Sequence, residues 1–599
     1  MVSVSSPPPF SPFFIPSATI RSVDAEQEFT ASSVVKTCAP GLKEYDIRIQ
    51  FAQRQAPSPI VLEWLIPLVD IAGKWHPTIG SDRSLSSGWV QTINNYATLG
   101  APVYALYSGS GENRHTFALS DAINPVGIRV QVEEDVAAFK CTLVLFDAPW
   151  PEMDKYSFIL RIDERAIAYN EALAGVSDWW AGMDEYRPAP VPEAAYDPVY
   201  SSWYSFHQEL SEEGIEANCA WSRDLGCRTL ILDDGWQTDD SNKGYAYCGD
   251  WEIAESKFPD FTAHVARIKA LDMRYLLWYS VPYVGNKSEA WQCFRDRVLP
   301  KPHRNADCLD PRFPSVRGML IDCYRRAIGE WGLDGLKLDF VDQFTAEVAV
   351  KSDSEEADMV SVPAATDRLF TDIMAELRTL NPDVLIEFRQ RYIGPAMRKY
   401  GNIFRAQDCP NDALSNRVRT IDLRLLSGNT AVHSDMVMWN AGESVERAAL
   451  QLWAILFSVP QISVEKDAIG EAHQRMLAFY LRFWLERKDL LMHGKLTPLN
   501  PLCLYPVVIA ENDTELCAVV YQEDCIMTLP PLKERSATLV NATEMGVIHA
   551  AFGNSTKNAK ITVYDCCGIL LSTRVMDGIS GIVTIVTPCS GYAKVTITS

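Results

Sequence analysis

Apolar and polar positions fall into three successive textures along the chain. Up to about Pro188, short stretches alternate apolar with polar residues, as in Tyr45 to Phe51, Ile60 to Leu65 and Thr142 to Phe146, with Pro, Gly and Asn between them. Alternation with a period of two buries one face of a strand and leaves the other wet, so this region reads as a β-sandwich. A segment rich in Pro and Ala, Arg187 to Pro198, reads as a linker. From Val199 the texture changes to short apolar runs that end in polar or aromatic residues. They are Val199 to Phe206, Thr229 to Trp236, Arg274 to Val281, Gly335 to Phe340, Val384 to Arg389, Ile403 to Asp408, Thr430 to Asp435 and Gln461 to Glu465. Between them, Phe261 to Leu271, Val316 to Trp331, Thr366 to Leu380 and Leu414 to Leu426 have helical period and charged faces. After about Leu499 the alternation returns, in Glu515 to Tyr521, Ala559 to Tyr564 and Gly581 to Val586.

Eight strand-and-helix units predict an α/β fold, a (β/α)8 TIM barrel. No glycine motif of the dinucleotide-binding or P-loop type opens a helix, which weighs against a doubly wound sheet. The expected organisation is an N-terminal β-sandwich over residues 1–188, a barrel over 189–498 and a small C-terminal antiparallel β-domain over 499–599. The sandwich is preceded by an extended arm carrying Pro7, Pro8, Pro9, Pro12 and Pro16.

Composition narrows the partners. The 599 residues are 47% hydrophobic and 22% charged, within the globular range. With 77 acidic against 55 basic residues the net charge is −22, which repels phosphate backbones and anionic lipid, so neither nucleic acid nor membrane is an expected partner. The longest apolar candidate, Ala448 to Val459, is interrupted by Gln451 and reads as a buried helix. No basic residue precedes Arg21 and no apolar centre follows, unlike a signal peptide, so a cytoplasmic protein is expected. Sequons at Asn286, Asn512, Asn541 and Asn554 then carry no weight, and the 15 cysteines, without any CxxC pair, read as free thiols.

In a barrel the C-terminal ends of the strands converge on one mouth, so the polar ends of the runs belong together. They supply Asp233, Asp234 and Trp236 from the second run, Trp278 from the third, Lys337 and Asp339 from the fourth, and Glu387 and Arg389 from the fifth. The sixth gives Arg405 and Asp408 and the seventh His433 and Asp435. Lys337 and Asp339 lie two apart on a strand, hence on one face. A cation beside a carboxylate keeps it ionised, as a nucleophile requires, while a second carboxyl of raised pKa can donate a proton. That pairing is the equipment of a retaining glycosidase, with Trp236 and Trp278 as either core or a platform for a sugar's apolar face. Signatures of zinc hydrolases, serine hydrolases and calcium loops are missing, so no metal or cofactor is expected. Cys409, beside Asp408, lacks an obvious base.

LILDDGW (Leu230 to Trp236), GDW followed by KFPD (Gly249 to Asp260), LDGLKLDF (Leu333 to Phe340) and FRAQD followed by CPNDA (Phe404 to Ala413) resemble glycoside hydrolase family 36, the α-galactosidases and plant raffinose and stachyose synthases. The resemblance is best from about Tyr204 to Trp439. It implies that Asp339 is the nucleophile and Asp408 the general acid and then base, with Asp412 a rival for that role. It further implies that Asp233 and Asp234 grip the sugar's outer hydroxyls, that Lys337 binds a neighbouring one, and that Arg405 sits near the second. Where many family members have a Cys-Ser-Gly-Gly stretch after strand five, this chain has EFRQRYIGP (Glu387 to Pro395), with Arg389 and Arg391 in place of small residues. The expected activity is hydrolysis of terminal α-galactosyl residues of small or oligosaccharide substrates. Transfer to another sugar, α-glucosidase or α-N-acetylgalactosaminidase specificity, and sugar binding without turnover stay open, as does the oligomeric state.

Overall fold

The computed structural model describes residues 18–345, 356–389, 391–532, 535–555 and 558–598. The proline-bearing arm at 7–16 lies outside them. The centre of the molecule is an eight-stranded parallel sheet curled into a barrel. Its strands, first to eighth, are Val199–Ser201, Thr229–Leu232, Arg274–Ser280, Gly335–Asp339, Leu385–Arg389, Ile403–Arg405, Ala431–His433 and Gln461–Ile462. The eighth pairs with the first, and single bridges from His433 to Val459 and from Val437 to Ile462 close the ring against the seventh. The fourth strand shows why the alternation of residues matters: Leu336 and Leu338 face the helices while Lys337 and Asp339 face inward, and all four are buried. Gly335 is required at its start, because a Cβ there would lie 2.1 Å from the Leu385 carbonyl oxygen.

The four expected helices are present as Phe261–Ala270, Pro314–Gly329, Val362–Leu380 and Ala413–Arg424. Asp260, Ser361 and Asp412 cap three of them by accepting a backbone N–H of the first turn, and Pro314 opens the other. The apolar stretch from Ala448 forms the buried face of helix Val445–Ala454. No helix among the described residues is long and apolar enough to cross a membrane.

Before the barrel, a five-stranded and a six-stranded sheet enclose a core that includes Ile47, Leu62, Trp64, Phe117 and Leu143. After it, seven-stranded and three-stranded sheets enclose Ile509, Leu539, Ile561 and Val595. These last sheets are mainly antiparallel but hold two parallel pairs, Glu515–Val520 with Ser536–Asn541 and Ile526–Thr528 with Val547–Ser555. In each pair the intervening chain is long enough to cross over rather than turn back as a hairpin.

The segment expected as a linker is packed instead. Ala189 N–H donates to the Arg398 carbonyl at 2.8 Å, Asn402 Nδ2 to the Pro190 carbonyl at 3.2 Å and the Tyr196 hydroxyl to the Asn429 carbonyl at 2.5 Å. All three partners lie just ahead of barrel strands or in the helix before them, so the segment is a strap across the N-terminal end of the barrel. It is extended as far as Pro192 and then makes one 3-10 turn, Glu193–Tyr196, in which Ala195 and Tyr196 are buried.

A second joint ties all three regions. Asp422, on helix Ala413–Arg424, accepts from Arg83 Nη2 at 3.0 and 2.8 Å, from Trp75 Nε1 at 2.9 Å and from the Tyr505 hydroxyl at 2.6 Å. Tyr169 donates in turn to Tyr505 at 3.1 Å. Every member is buried, so the Asp422 charge is compensated inside the protein rather than by water.

Candidate active site

The inward side chains at the strand ends form two sets of paired charges, one around Asp339 and Asp408 and one around Asp233 and Lys337. Asp339, ending the fourth strand, takes three donors on Oδ1: its neighbour Phe340 N–H at 2.7 Å, Arg389 Nε at 2.8 Å and the Tyr392 hydroxyl at 3.4 Å. Among the described residues Oδ2 receives only the long 3.4 Å approach of Trp278 Nε1. Phe340 holds a left-handed backbone (φ 61°), which turns the chain sharply at this point and sets its ring 5.1 Å from the Arg389 guanidinium.

Asp408 follows the sixth strand. Its Oδ1 accepts from Arg405 Nη2 at 2.8 Å, and its Oδ2 lies 3.5 Å from Arg389 Nη1. Arg389 therefore touches both carboxylates. Their surroundings differ, however: the Asp339 side chain is 9% exposed and that of Asp408 44%. Arg405 is itself fixed by Asp435, whose Oδ1 accepts from Nη1 at 2.5 Å. Asp435 Oδ2 takes the Tyr204 hydroxyl at 2.9 Å and the Cys409 N–H at 2.6 Å.

Burial on its own would raise the Asp339 carboxyl, but Arg389 and then Lys337 outweigh it and hold the group below the usual carboxylate range. Desolvation likewise opposes ionisation of Asp408, and Arg405, Arg389 and Lys337 overcome it and hold that carboxyl well below its ordinary value. For Asp435 burial prevails, reinforced by Asp408 and offset in part by Arg405, and its carboxyl is raised.

On the other side of the barrel, Asp233 Oδ2 accepts from Lys337 Nζ at 2.5 Å, and its Oδ1 from the Asp234 N–H at 2.9 Å. Asp234 is bracketed by two glutamines, Gln208 Nε2 donating to Oδ2 at 2.7 Å and Gln237 Nε2 to Oδ1 at 2.8 Å. Burial nevertheless pushes the Asp234 carboxyl up to about 6.

Three expected site residues lie away from the mouth. Trp236 is fully buried, stacked 5.9 Å from Trp251, edge-on to Tyr279 and Trp331, and donating Nε1 to the Trp278 carbonyl at 2.9 Å. It packs beneath the helices and offers no platform. Gly235 causes this: at φ +115° it turns the chain outward after Asp234, and a Cβ there would meet Gln208 Cα at 2.6 Å. Glu387 and His433 sit deeper in the barrel. Gln461 Nε2 lies 2.5 Å from Glu387 Oε2 and 3.1 Å from His433 Nδ1, and His433 Nε2 meets the Ala195 carbonyl at 2.8 Å. A ring nitrogen facing a carbonyl carries the proton, so His433 is a satisfied interior group that anchors the strap. Burial would raise the Glu387 carboxyl, but His433, Lys337 and Arg405 hold it low.

The other expected residues form two contact sets, Asp233, Asp234 and Lys337 in one and Trp278, Asp339, Arg389, Arg405, Asp408 and Asp435 in the other, with the Lys337 charge acting on Asp339 and Asp408 across them. Asp412 faces elsewhere, accepting from the Ser415 N–H at 2.9 Å as a helix cap. The GDW and KFPD residues are structural. Asp250 accepts the Glu289 and Ala290 N–H groups, Lys257 donates to the Gln208 and Gly235 carbonyls, and Asp260 caps a helix. Tyr204, Gln208, Gln237 and Tyr392 join the site without a signal in the sequence; Tyr204 comes from the short helix Trp203–Phe206 and the others from loops, where no strand period points to a shared face. Among the described residues one set could offer metal ligands, Glu212, Glu216 and His264 on the outer helices. Arg267 already pairs with both glutamates and His264 with Glu216, so that set is an ion-pair cluster.

Residues 194–391 match the protein-family model described as Melibiase. The A type blood α-D-galactosamine galactosaminidase of Flavonifractor plautii is 26% identical over 195 residues, 29% of this chain and 17% of that protein. α-Galactosidase AgaA of Geobacillus stearothermophilus is 25% identical over 194 residues, 31% of this chain and 25% of that protein. These alignments thus span a quarter or less of the relatives' own length. The solved structures extend the likeness to the whole fold. A doubly substituted form of the family 36 AgaA of G. stearothermophilus, in complex with raffinose, covers 98% of this chain and 90% of its own at a TM-score of 0.65 and 14% identity. The α-galactosidase of Lactobacillus brevis covers 98% and 88% at a TM-score of 0.64 and 14% identity. The barrel, its preceding sandwich and its following β-sheets are the architecture of the family 36 structures.

Proposed function

We propose that this protein is a retaining α-galactosidase that removes terminal non-reducing α-galactosyl residues through a covalent glycosyl-enzyme. The observation that carries this is the unequal exposure of the two carboxylates that share Arg389: Asp339 is buried and Asp408 stands half-open at the mouth, while neighbouring cations hold both below the usual carboxylate range in the sugar-free protein. Asp339 Oδ1 is occupied by three donors, which leaves Oδ2 as the attacking oxygen. In the first step Oδ2 bonds to the anomeric carbon while the glycosidic C–O bond breaks, and Asp408 gives its proton to the departing oxygen. In the second, Asp408 takes a proton from water, whose oxygen bonds to the anomeric carbon and releases Asp339. Asp408 Oδ1 is engaged by Arg405, so Oδ2 is the oxygen that exchanges protons. Asp233, Asp234 and Lys337 form the polar end of the pocket and hold the hydroxyls remote from the reacting carbon, with the Trp278 ring alongside.

The Melibiase match over 194–391 and the relatives named α-galactosidases support galactose as the sugar. None of the 15 cysteines forms a disulfide, which suits a reducing compartment such as the cytoplasm. The test is release of nitrophenol from a panel of α-galactoside, α-glucoside and α-N-acetylgalactosaminide. Cleavage of the galactoside alone, lost in Asp339→Asn, is the expected result. Cleavage of another member would reassign the sugar. Silence across the panel with turnover of galactinol and sucrose would make the protein a transferase.

A further inference from the structure

We propose that Arg389 is a positioning residue that couples sugar entry to proton uptake by Asp408, bridging the two carboxylates before the sugar binds and releasing Asp408 when it arrives. This rests on the glycosidase function proposed above, because it assigns the proton to Asp408.

The argument starts from space. In a double displacement the anomeric carbon and the leaving oxygen must lie between the nucleophile and the acid. The Arg389 guanidinium occupies that interval, with Nε 2.8 Å from Asp339 and Nη1 3.5 Å from Asp408. One of its contacts must open. The two are unequal: the bond to Asp339 is short and buried, and the guanidinium is held at that end by the Phe340 ring at 5.1 Å and the Tyr392 ring at 5.8 Å. The contact to Asp408 is long and reaches a half-exposed carboxylate, so it is the one that yields.

Its loss changes the balance of charge around Asp408. The groups that face Asp408 are Arg405 from the sixth strand, Arg389 from the fifth, Lys337 and Asp339 from the fourth, Asp435 beyond the seventh and Tyr204 after the first. Arg419, from the following helix, donates to the Asp408 carbonyl at 2.8 Å. Arg405 cannot leave, because it is buried and tied to Asp435. Arg389 is thus the cation whose departure is open to the sugar. Moving it aside removes one of two neighbouring arginines just as a leaving oxygen arrives to receive the proton. Asp339 keeps its Arg389 bond throughout and stays ionised, so one side chain holds the two carboxyls in opposite states.

Two profiles test this. The alkaline limb of kcat/KM reports the acid in the free enzyme, and that of kcat the acid in the complex. In Arg389→Met, or in Arg389→Lys, which keeps the charge but cannot touch both carboxylates, the kcat/KM limb is expected to move to higher pH by about one unit or more while the kcat limb stays near that of the wild type. Equal movement of both limbs, or of neither, would overturn the proposal. An independent readout needs no turnover. Infrared titration of the sugar-free protein, with the Asp408 carboxyl band identified by its loss in Asp408→Asn, should show protonation at higher pH in the Arg389 variants. An unchanged midpoint refutes the role of Arg389 whether or not the protein hydrolyses galactosides, whereas an inactive wild type with a shifted midpoint would refute only the glycosidase function.

Discussion

Arg405 donates Nη1 to Asp435 at 2.5 Å with both side chains sealed from solvent, and extends Nη2 to the half-exposed Asp408 at 2.8 Å. One guanidinium thus joins the buried interior to the reactive edge of the mouth. Replacing it by Met would strand the buried charges of Asp435 and Glu387, and breaking such pairs costs about 3–5 kcal/mol. Urea denaturation should show a loss of that size in Arg405→Met and a smaller one in Arg405→Lys.

Asp339→Asn is expected to lower kcat by roughly 10³-fold or more on every substrate, because it removes the oxygen charge that forms the new bond. The fold should survive. The amide oxygen of Asn can still accept from Phe340 N–H and Arg389 Nε. Steady-state kinetics with circular dichroism on the same preparation checks both halves.

Asp408→Ala separates acid catalysis from attack. Proton donation is worth about 10²–10⁴-fold where the leaving group needs it. For an unactivated disaccharide, kcat/KM should fall by about that much, and for a dinitrophenyl α-galactoside by about tenfold or less. Equal losses on both would remove Asp408 from the acid's role.

Asp234 predicts a pH dependence of stability. Its carboxyl is raised to about 6, above its unfolded value, so across about pH 4 to 6 the folded state holds a proton that the unfolded chain has released. The contribution is favourable at the acid end and is lost as pH rises through about 6. Going from pH 4.5 to 7 should therefore cost wild type about 1–2 kcal/mol that Asp234→Asn does not lose. The variant carries a fixed penalty instead. The Gln208 and Gln237 carbonyls accept from Lys243 and Gly235 N–H, which commits both amide groups to face residue 234 as donors. Urea midpoints at the two pH values separate these terms.

The barrel and its charged mouth are legible in the sequence because they obey short periods. Eight apolar runs ending in charge mark the strands, and the spacing of Lys337 and Asp339 places both inside. Trp236 departs from that pattern because one glycine reverses the direction in which the chain continues, and strand period stops at Leu232. Segment 187–198 departs from it because prolines signal extension equally in a free linker and in a buried strap; the hydrogen bonds that decide between them run to Arg398 and Asn402, far along the chain. The glutamines around Asp234 carry no signal for a similar reason, since Gln208 reaches it from a loop.

The joint at Asp422 limits how this architecture can be inherited. Trp75 and Arg83 come from the region before the barrel, Tyr505 from the region after it, and the carboxylate to which all three donate belongs to a barrel helix. A barrel without the preceding region would lose Arg83, the cation paired with Asp422, and one without the following region would lose the Tyr505 hydrogen bond to the same carboxylate, so the flanks are not interchangeable cassettes. Gene fusion or domain exchange could only succeed here by bringing a matching arginine or tyrosine to the same seam, or by first erasing Asp422.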